Sequence, residues 1–194
     1  DVNALPFPND HFDLVTCQTV LIHLKDPKHS LKEMLRVLKP GGTLLAAEPN
    51  NLSNRTVASN LTEEMSIDEV MERIRLGLII ERGKKALGLG NNSIGDLIPG
   101  CIAELGGENI EVYLSDKASA FIPPYSSKEQ QVNIQQTRDW LKRKFVGWDN
   151  DELHSYFIAG SGLESDFERY CQLLVQDTEA MIKSIDLRSY HTAG

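Results

Sequence analysis

The sequence predicts an α/β protein built on a parallel sheet, and three features of its first 50 residues support this. An apolar, partly β-branched run begins at Phe12, helix-start residues follow at Asp26, and a second apolar run begins at Thr43. A strand, a helix and a strand in this order form a crossover unit, which joins parallel strands and is right-handed in about 98% of cases. Apolar runs of this kind are typical of strands that are buried on both faces of a sheet.

The first strand of this unit is assigned to residues 12–20 and the second to residues 43–48, TLLAAE. Asp26 suits the N-cap of the intervening helix, Pro27 suits its first turn, and Pro40–Gly42 are expected to end it. Apolar residues recur at the spacing of one helical face: Leu31, Met34, Leu35 and Leu38.

The next part of the chain, after these two strands, predicts mainly helices. Ser66 and Glu69 have the spacing of a capping box at a helix start. Ser93 and Asp96 resemble a second helix start. Residues 109–117, NIEVYLSDK, alternate apolar and polar side chains and are predicted to form a third strand.

The C-terminal part predicts three further helices, with a turn at Gly160 and Gly162 between two of them. The sequence contains no internal repeat and no Pro-rich linker. Residues 1–194 are therefore predicted to form a single domain. Two helical segments, at about residues 51–92 and 127–185, are interpreted as insertions on this domain.

Composition excludes several classes of protein. The chain has 194 residues, of which 41% are hydrophobic and 25% are charged, as in ordinary globular proteins. Its formal net charge of −8 argues against a nucleic-acid partner, because such proteins neutralise phosphates with Lys and Arg. No apolar run approaches the roughly 20 residues of a membrane-spanning helix, so no membrane partner is predicted.

The cysteine and histidine spacings predict neither disulfides nor a metal site. Cys17, Cys101 and Cys171 are odd in number and far apart, without a Cys-x-x-Cys pair. The histidines show no metal-ligand spacing with one another or with acidic residues. This cysteine usage fits a reducing compartment, and a cytoplasmic location is expected.

Candidate site residues follow from the positions of the predicted strand ends. Open parallel sheets bind ligands in the crevice outside the carboxyl ends of their strands. At the end of the first strand this rule selects Cys17, Gln18 and Thr19. At the end of the second it selects Glu48 and Asn50, which are interpreted as substrate contacts. A solvated strand-end carboxylate is an equally good interpretation of Glu48.

Three segments of the sequence carry a family resemblance: DVNALPF, FDLVTCQTVLIHLKDP and LKEMLRVLKPGGTLLAAEPN. In order and spacing they resemble the middle and later motifs of class I S-adenosylmethionine-dependent methyltransferases. The resemblance is close over residues 1–50, weaker over residues 93–122 and absent from the helical segments. It implies that the chain forms the C-terminal part of a Rossmann-like methyltransferase sheet with helical insertions. It also implies S-adenosyl-L-methionine as the cofactor and a small molecule as the methyl acceptor.

The same resemblance implies roles for individual residues. Asp1 resembles the acidic residue that accepts the adenine amino group, and Val2 resembles the apolar neighbour that lies against the ring. Residues Cys17–Thr19 resemble the segment that meets the methionine part of the cofactor, and His23 follows in the loop or helix that lines it. His23 is a candidate general base near the transferred methyl group, because imidazole titrates near neutrality. A histidine that only caps or packs is the alternative.

Two motifs of the family are not found in the sequence. Its glycine-rich turn and the acidic residue that binds the ribose hydroxyls would precede Asp1, so the chain is expected to be an internal fragment of a longer protein. The stretch GLGNNSIG, Gly88–Gly95, is not interpreted as this turn because it follows the basic segment ERGKKAL instead of a strand. It is predicted to be a flexible connector between two helices.

A non-catalytic scaffold or binding domain that has lost cofactor binding is the alternative function. A sheet with missing strands would leave an open edge and an apolar face, which another chain or a second copy in a homo-oligomer could cover. A dehydrogenase is a weaker alternative, because LKPGGTLL and DVNALPF fit methyltransferases better. Aromatic residues of the C-terminal helices are interpreted as packing core, with a lid over a small substrate as the alternative. These residues are Trp140, Phe145, Trp148, Tyr156 and Phe157.

Overall fold

The computed structural model describes residues 1–52, 63–114, 119–142, 149–186 and 191–193. In chain order the elements are β1 (Phe12–Gln18), a first 3-10 helix (Leu21–His23), α1 (Pro27–Val37), β2 (Leu38–Ala47), α2 (Ile67–Ala86), a second 3-10 helix (Gly95–Leu97), α3 (Ile98–Glu104), β3 (Ser119–Phe121), α4 (Lys128–Lys142), α5 (Asn150–Ala159), α6 (Glu164–Asp186) and β4 (His191–Ala193).

The chain divides into two compact units. The first comprises Asp1–Ser53 and Lys84–Tyr113, and the second comprises Asn54–Gly83 and Leu114–Gly194. The assignment of a single domain with two helical insertions stays a prediction.

The first unit contains the predicted crossover, and the α/β assignment is confirmed at this level. β1 and β2 pair in parallel, and α1 lies between them in the chain. The carboxylate of Asp26 caps α1 by accepting the backbone N–H of His29 at 3.0 Å, and Pro27 occupies the first turn, as predicted. Leu31 and Met34 are buried on the inner face of the helix.

The second strand begins earlier than predicted. β2 starts at Leu38, so Pro40–Gly42 lie inside the strand instead of between helix and strand. The pairing of β1 with β2 shifts register between Phe12 and Leu14, which is the signature of a bulge. Gly41 has a φ of 77°, and a bulge accommodates both this backbone and a proline that cannot donate a ladder hydrogen bond.

The sheet is buried on one face, and the prediction of burial on both faces is wrong for the described residues. Cys17 is buried against α1 and α3, and Val15 packs against the same core. On the opposite face Leu14 is 56% exposed and Leu45 is 58% exposed. The described part of the parallel sheet has two strands, and the helices that cover it pack on one side.

The third strand predicted at residues 109–117 is not observed in its described part. Residues 110–114 form no strand, and Val112 and Leu114 are 67% and 93% exposed. Alternation gives a segment two different faces, but a strand also needs a neighbouring strand to pair with, and local sequence does not supply one. The predicted helix start at Ser93 is also displaced, since the second 3-10 helix begins at Gly95 and α3 begins at Ile98.

The second unit is helical, as predicted. The capping box is confirmed: the Ser66 N–H donates to Glu69 Oε2 at 2.8 Å, and the Glu69 N–H donates to Ser66 Oγ at 3.3 Å. The Gly160–Gly162 turn joins α5 to α6, also as predicted. The core of this unit combines side chains of α2, α5 and α6: Leu76, Ile80, Leu153, Tyr156, Phe157 and Leu173.

The aromatic residues considered for a lid occupy different environments. Tyr156 and Phe157 are buried in the core of the second unit, in agreement with the packing interpretation, whereas Trp140 is exposed. Phe145 and Trp148 lie outside the described residues. A short antiparallel pairing of β3 with β4, which the sequence did not predict, completes the elements of this unit.

Candidate functional site

The two parallel strands end side by side, and this end is called the carboxyl edge below. Gln18 lies opposite Ala47 at the last paired position. The next residue of the first strand, Thr19, donates its N–H to the carbonyl oxygen of Ala47 at 3.0 Å. Residues 19–23 and 48–50 therefore leave the sheet at the same place, as the sequence analysis predicted.

Asp1 and Val2 belong to a turn that is fixed to the start of α1. Asn3 donates from its backbone N–H and from Nδ2 to Asp1 Oδ1, at 3.0 and 3.2 Å. The hydroxyl of Ser30, which is fully buried, donates to Asn3 Oδ1 at 2.6 Å. Because α1 begins shortly after β1 ends, its amino end lies at the carboxyl edge, and so does the turn bound to it.

The chain that follows this turn is held by two charged residues of α1. Arg36 donates to the carbonyl oxygens of Leu5 and Phe7 at 3.1 and 2.9 Å. Glu33 accepts the Leu5 N–H at 3.3 Å and pairs with Arg36 at 2.9 Å. The hydrogen bond from Arg36 lowers the pKa of Glu33, so the pair stays charged at neutral pH. Residues 1–9 are thus tied along one side of α1.

The side chain of Cys17 faces the core instead of the carboxyl edge. Burial, reinforced by the negative charge of Glu48, raises its pKa from 9.0 to about 11. The thiol is therefore held in its protonated form at neutral pH, which makes it less reactive as a nucleophile than an exposed cysteine. The predicted contact of Cys17 with a cofactor stays a prediction. Because the side chain lies in the core, the backbone of Cys17 would have to make this contact.

Gln18 and Thr19 are exposed at the edge, and Thr19 has an unusual backbone. Its φ is 53°, in the left-handed region that β-branched residues rarely adopt. Strained backbone of this kind persists where the surroundings fix it, and it clusters at functional sites. The sequence offers no signal for this conformation.

Glu48 is engaged with the backbone of the segment that follows β1. Its Oε1 accepts the N–H groups of Val20 and Leu21 at 2.9 and 3.0 Å, and its Oε2 accepts that of Ile22 at 3.2 Å. These three N–H groups belong to the amino end of the first 3-10 helix, where they lack helical partners. The predicted substrate contact of Glu48 stays a prediction, while its observed hydrogen bonds are intramolecular.

Asn50 is also bound within the protein. Its Nδ2 donates to Asp96 Oδ2 at 2.5 Å, and its Oδ1 accepts the Leu52 N–H at 3.1 Å. The predicted role of Asn50 in substrate binding stays a prediction. His23, in contrast, is an exposed residue at the end of the first 3-10 helix, and its backbone N–H donates to the Val20 carbonyl oxygen at 3.1 Å.

The connector Gly88–Gly95 is a part of this region that the sequence analysis missed. A Cβ atom at Gly90 would lie 2.0 Å from the Ile22 carbonyl oxygen, and one at Gly95 would lie 2.6 Å from the Glu48 carbonyl oxygen. The Gly95 N–H donates to the Pro49 carbonyl oxygen at 3.1 Å. The connector does join two helices, but it packs directly on the backbone at both strand ends. Its glycines were the available signal, since glycine permits close approach of two backbones.

Two negative findings apply to the described residues alone. They contain no group of three or more His, Cys, Asp or Glu side chains that could hold a metal ion. They also contain no helix that is both long enough and apolar enough to cross a membrane.

Comparison with protein families identifies the segment that builds this edge. Residues 1–46 match the family described as a methyltransferase domain. Over this segment the resemblance to methyltransferases is confirmed. It contains Asp1, Val2, the Cys17–Thr19 segment and His23, whereas Glu48 and Asn50 lie just beyond it.

Relatives of known name match the chain over a similar length. A demethylmenaquinone methyltransferase of Renibacterium salmoninarum is 52% identical over 48 residues, which are 25% of this chain and 20% of the relative. A ubiquinone/menaquinone biosynthesis C-methyltransferase of Azotobacter vinelandii is 46% identical over 54 residues, which are 28% of this chain and 21% of the relative. The match therefore spans about a fifth of the length of these relatives.

One solved structure resembles the chain more broadly but less closely. It is a crystal structure from Bacillus halodurans C-125 of a protein proposed to be a methyltransferase. The superposition covers 87% of this chain and 63% of that chain, with 19% sequence identity and a TM-score of 0.40.

Proposed function

We propose that this chain belongs to an enzyme that transfers a methyl group from S-adenosyl-L-methionine to a small-molecule acceptor. The observation that carries the proposal is the geometry of the segment similar to a methyltransferase domain. The Asp1–Asn3 turn and the end of β1 lie in this segment, and together with the end of β2, just beyond it, they meet at the carboxyl edge. Ligands of open parallel sheets bind at this edge.

The residues at this edge fit the chemistry of the proposed cofactor. The Asp1 carboxylate is an acceptor that suits the exocyclic amino group of adenine, and the half-buried Val2 offers an apolar neighbour for the ring. The exposed Gln18 and Thr19 present polar groups to the methionine part. A Rossmann-like arrangement of the complete sheet belongs to the same proposal.

Methyl transfer depends more on how the two reactants are oriented than on a strong acid or base in the protein. When bound, S-adenosyl-L-methionine supplies a sulfonium methyl group with a good leaving group, so the protein mainly has to align the acceptor in line with it and exclude water. The backbone at residues 19–23 is fixed by Glu48 and suits such a positioning role. His23, the last residue of this segment, is the proposed base, and it takes the proton of the acceptor atom if that atom carries one.

One relative is named a demethylmenaquinone methyltransferase, and another is named a ubiquinone/menaquinone biosynthesis C-methyltransferase. For this chain the proposal specifies a small molecule as the methyl acceptor. A cytoplasmic location belongs to the same proposal, and Cys17, Cys101 and Cys171 are all free thiols, as in a reducing compartment.

The scaffold function remains the second candidate because one observation favours it. The outer face of the β1–β2 sheet exposes Leu14 and Leu45, which are apolar residues that an additional chain could cover. The two candidates differ in a simple property, which is whether the carboxyl edge binds the cofactor product.

Calorimetric titration with S-adenosylhomocysteine tests the proposal. The 194-residue chain is titrated beside a second form that carries any residues encoded upstream of Asp1. Asp1→Asn removes the proposed adenine acceptor charge in either form, and Asp10→Asn, in the following loop, is the matched control. ATP tests whether the site merely accepts any adenine nucleotide.

We expect S-adenosylhomocysteine to bind at least one of the two forms. Asp1→Asn should weaken this affinity by about tenfold, and Asp10→Asn should leave it unchanged. Binding by neither form would overturn the proposal and favour the scaffold. Equal binding of ATP would exclude a site that is specific for the methionine part.

A further inference from the structure

Glu48 has both carboxylate oxygens committed to one short stretch of backbone. Val20 and Leu21 share Oε1, and Ile22 donates to Oε2, at distances between 2.9 and 3.2 Å. Hydrogen bonds to an ionised acceptor are stronger than neutral ones. The side chain of a β2 residue thus fixes the shape of the chain that leaves β1.

The residue before this stretch is the one with the unusual backbone. Thr19 combines a φ of 53° with an N–H bonded to the Ala47 carbonyl oxygen at 3.0 Å. A β-branched residue in this region is disfavoured on its own. Its conformation is held on one side by β2 and on the other by the N–H groups that Glu48 binds.

The connector Gly88–Gly95 restricts the same stretch from outside. Gly90 lies against the backbone of Ile22, and Gly95 lies against the backbone of Glu48 itself, at separations that leave no room for a Cβ. The connector therefore confines the backbone that carries the Glu48 side chain and the backbone segment that the carboxylate holds. A carboxylate in this arrangement is poorly placed to swing out toward a substrate.

We propose that Glu48 is a positioning residue, which holds residues 19–23 in the shape that receives the methionine part of the cofactor. This inference rests on the proposed function. It assigns Glu48 an indirect role in binding the cofactor, where the sequence had predicted a direct contact with substrate. Glu48 acts through the backbone of Thr19 and the first 3-10 helix, and through them sets the place of His23.

Glu48→Gln is the decisive variant because it is nearly isosteric. The amide keeps one acceptor oxygen but turns an NH2 group toward at least one of the three N–H groups, so part of the hold is lost while the volume is kept. Glu104→Gln is the matched control. It makes the same charge change in the first unit, on an exposed side chain that pairs with Lys28 instead of the backbone.

Two measurements separate positioning from a merely structural role. Amide hydrogen exchange reports the opening of Val20, Leu21 and Ile22 one by one, and calorimetry reports the affinity for S-adenosylhomocysteine. For Glu48→Gln we expect exchange at these three amides to become about tenfold faster, the amides of α1 to be unchanged, and the affinity to fall about tenfold. Glu104→Gln is expected to change neither. A merely structural role would instead speed exchange in α1 as well and leave the affinity of the folded molecules unchanged.

The outcomes distinguish this inference from the function on which it rests. If the unaltered chain or its extended form binds and Glu48→Gln binds equally well, the positioning role is wrong and the methyltransferase proposal stands. If neither unaltered form binds, the proposed function fails and the positioning role fails with it. Should Glu48→Gln not fold, Glu48→Asp, which keeps the charge but shortens its reach, is judged by the same two measurements.

Discussion

At the scale of single residues, Cys17 gives the clearest pH-dependent behaviour. Its pKa is raised from 9.0 to about 11 by burial and by the Glu48 charge, so at a given pH it holds roughly 100-fold less thiolate than an ordinary cysteine. We expect iodoacetamide at pH 8 to label Cys101, which is only partly buried, well before Cys17. Peptide mass spectrometry of a labelling time course measures both rates, and equal labelling would contradict the burial of Cys17.

The same pKa difference predicts how stability changes in alkaline solution. The unfolded thiol ionises near 9.0 and the folded thiol near 11, so the unfolded state releases its proton first. The contribution of Cys17 is present below pH 9 and is lost as pH rises toward 11. Cys17→Ala should remove this part of the pH dependence.

Ser30 is predicted to support the Asp1–Asn3 turn through one buried hydrogen bond. Its hydroxyl donates to Asn3 Oδ1 at 2.6 Å, and Ser30→Ala leaves that oxygen without this donor. We expect a loss of about 1–2 kcal/mol in the free energy of unfolding and a weaker affinity for S-adenosylhomocysteine. Urea unfolding and calorimetry measure the two effects.

Lys32→Ala, at an exposed position of the same helix, is the control for Ser30→Ala. It should leave both quantities close to those of the unaltered chain. A Ser30→Ala variant with lower stability but unchanged affinity would show that the turn does not depend on this hydrogen bond for binding.

At the scale of elements, what could be predicted depended on whether the determinants were local. The Asp26 cap of α1 and the Ser66–Glu69 capping box are set by residues within one turn, and both were predicted correctly. The strand at residues 109–117 required a partner strand, and in residues 110–114 none is found. The carboxyl edge could be predicted from the ends of the two strands. The hydrogen bonds of Glu48 with residues 20–22 could not, because they join positions that are 26 to 28 residues apart and leave no signal in the local sequence.

The close packing of the connector Gly88–Gly95 predicts a large effect of adding one methyl group. Gly90 has a φ of 100°, and a Cβ there would lie 2.0 Å from the Ile22 carbonyl oxygen. Gly90→Ala should therefore lower the free energy of unfolding by at least about 2 kcal/mol and disturb the first 3-10 helix. Urea unfolding measures the first effect, and amide exchange at Ile22 and His23 measures the second.

The control for Gly90→Ala is the same substitution in an open position. Gly100 lies in α3 and has no atom within 4 Å of an added Cβ. Gly100→Ala should stabilise the chain by about 0.5–1 kcal/mol, because alanine is the better helix former. If both variants behaved alike, the packing of the connector on the strand end would be wrong.

At the scale of the whole molecule, each unit has its own apolar core and its own set of ion pairs. The first unit packs α1 and α3 on the sheet, and the second packs α2, α5 and α6 together. Arg169 pairs with Glu72 at 2.9 Å and Arg75 pairs with Asp166 at 2.5 Å, both linking α2 to α6. Sequence composition predicted an acidic globular chain, but it could not show which carboxylates are paired, because the partners lie more than 90 residues apart.

These ion pairs predict the response of the chain to acid. Hydrogen bonds from Arg169 and Arg75 lower the pKa of Glu72 and of Asp166 below their ordinary values of 4.5 and 3.8. In the unfolded chain the same groups take up protons at higher pH, so their stabilising effect is present above pH 4.5 and is lost as pH falls through the lowered values. Between pH 7 and pH 5 both carboxylates are ionised in the folded and in the unfolded chain, so these two pairs add almost no pH dependence to the free energy of unfolding.

Below pH 4.5 we therefore expect the midpoint of urea unfolding to fall. We expect Asp166→Asn to lower this midpoint at pH 7 and to make its fall in acid shallower. The shallower fall follows because an amide cannot be protonated in this range, so one of the coupled protons is removed. Asp151→Asn, in the first turn of α5 and outside these ion pairs, should preserve the full acid dependence. An acid fall that is equally steep in Asp166→Asn would show that other carboxylates govern the acid stability. High salt should weaken the difference between the two variants, because these pairs are partly exposed and therefore screened.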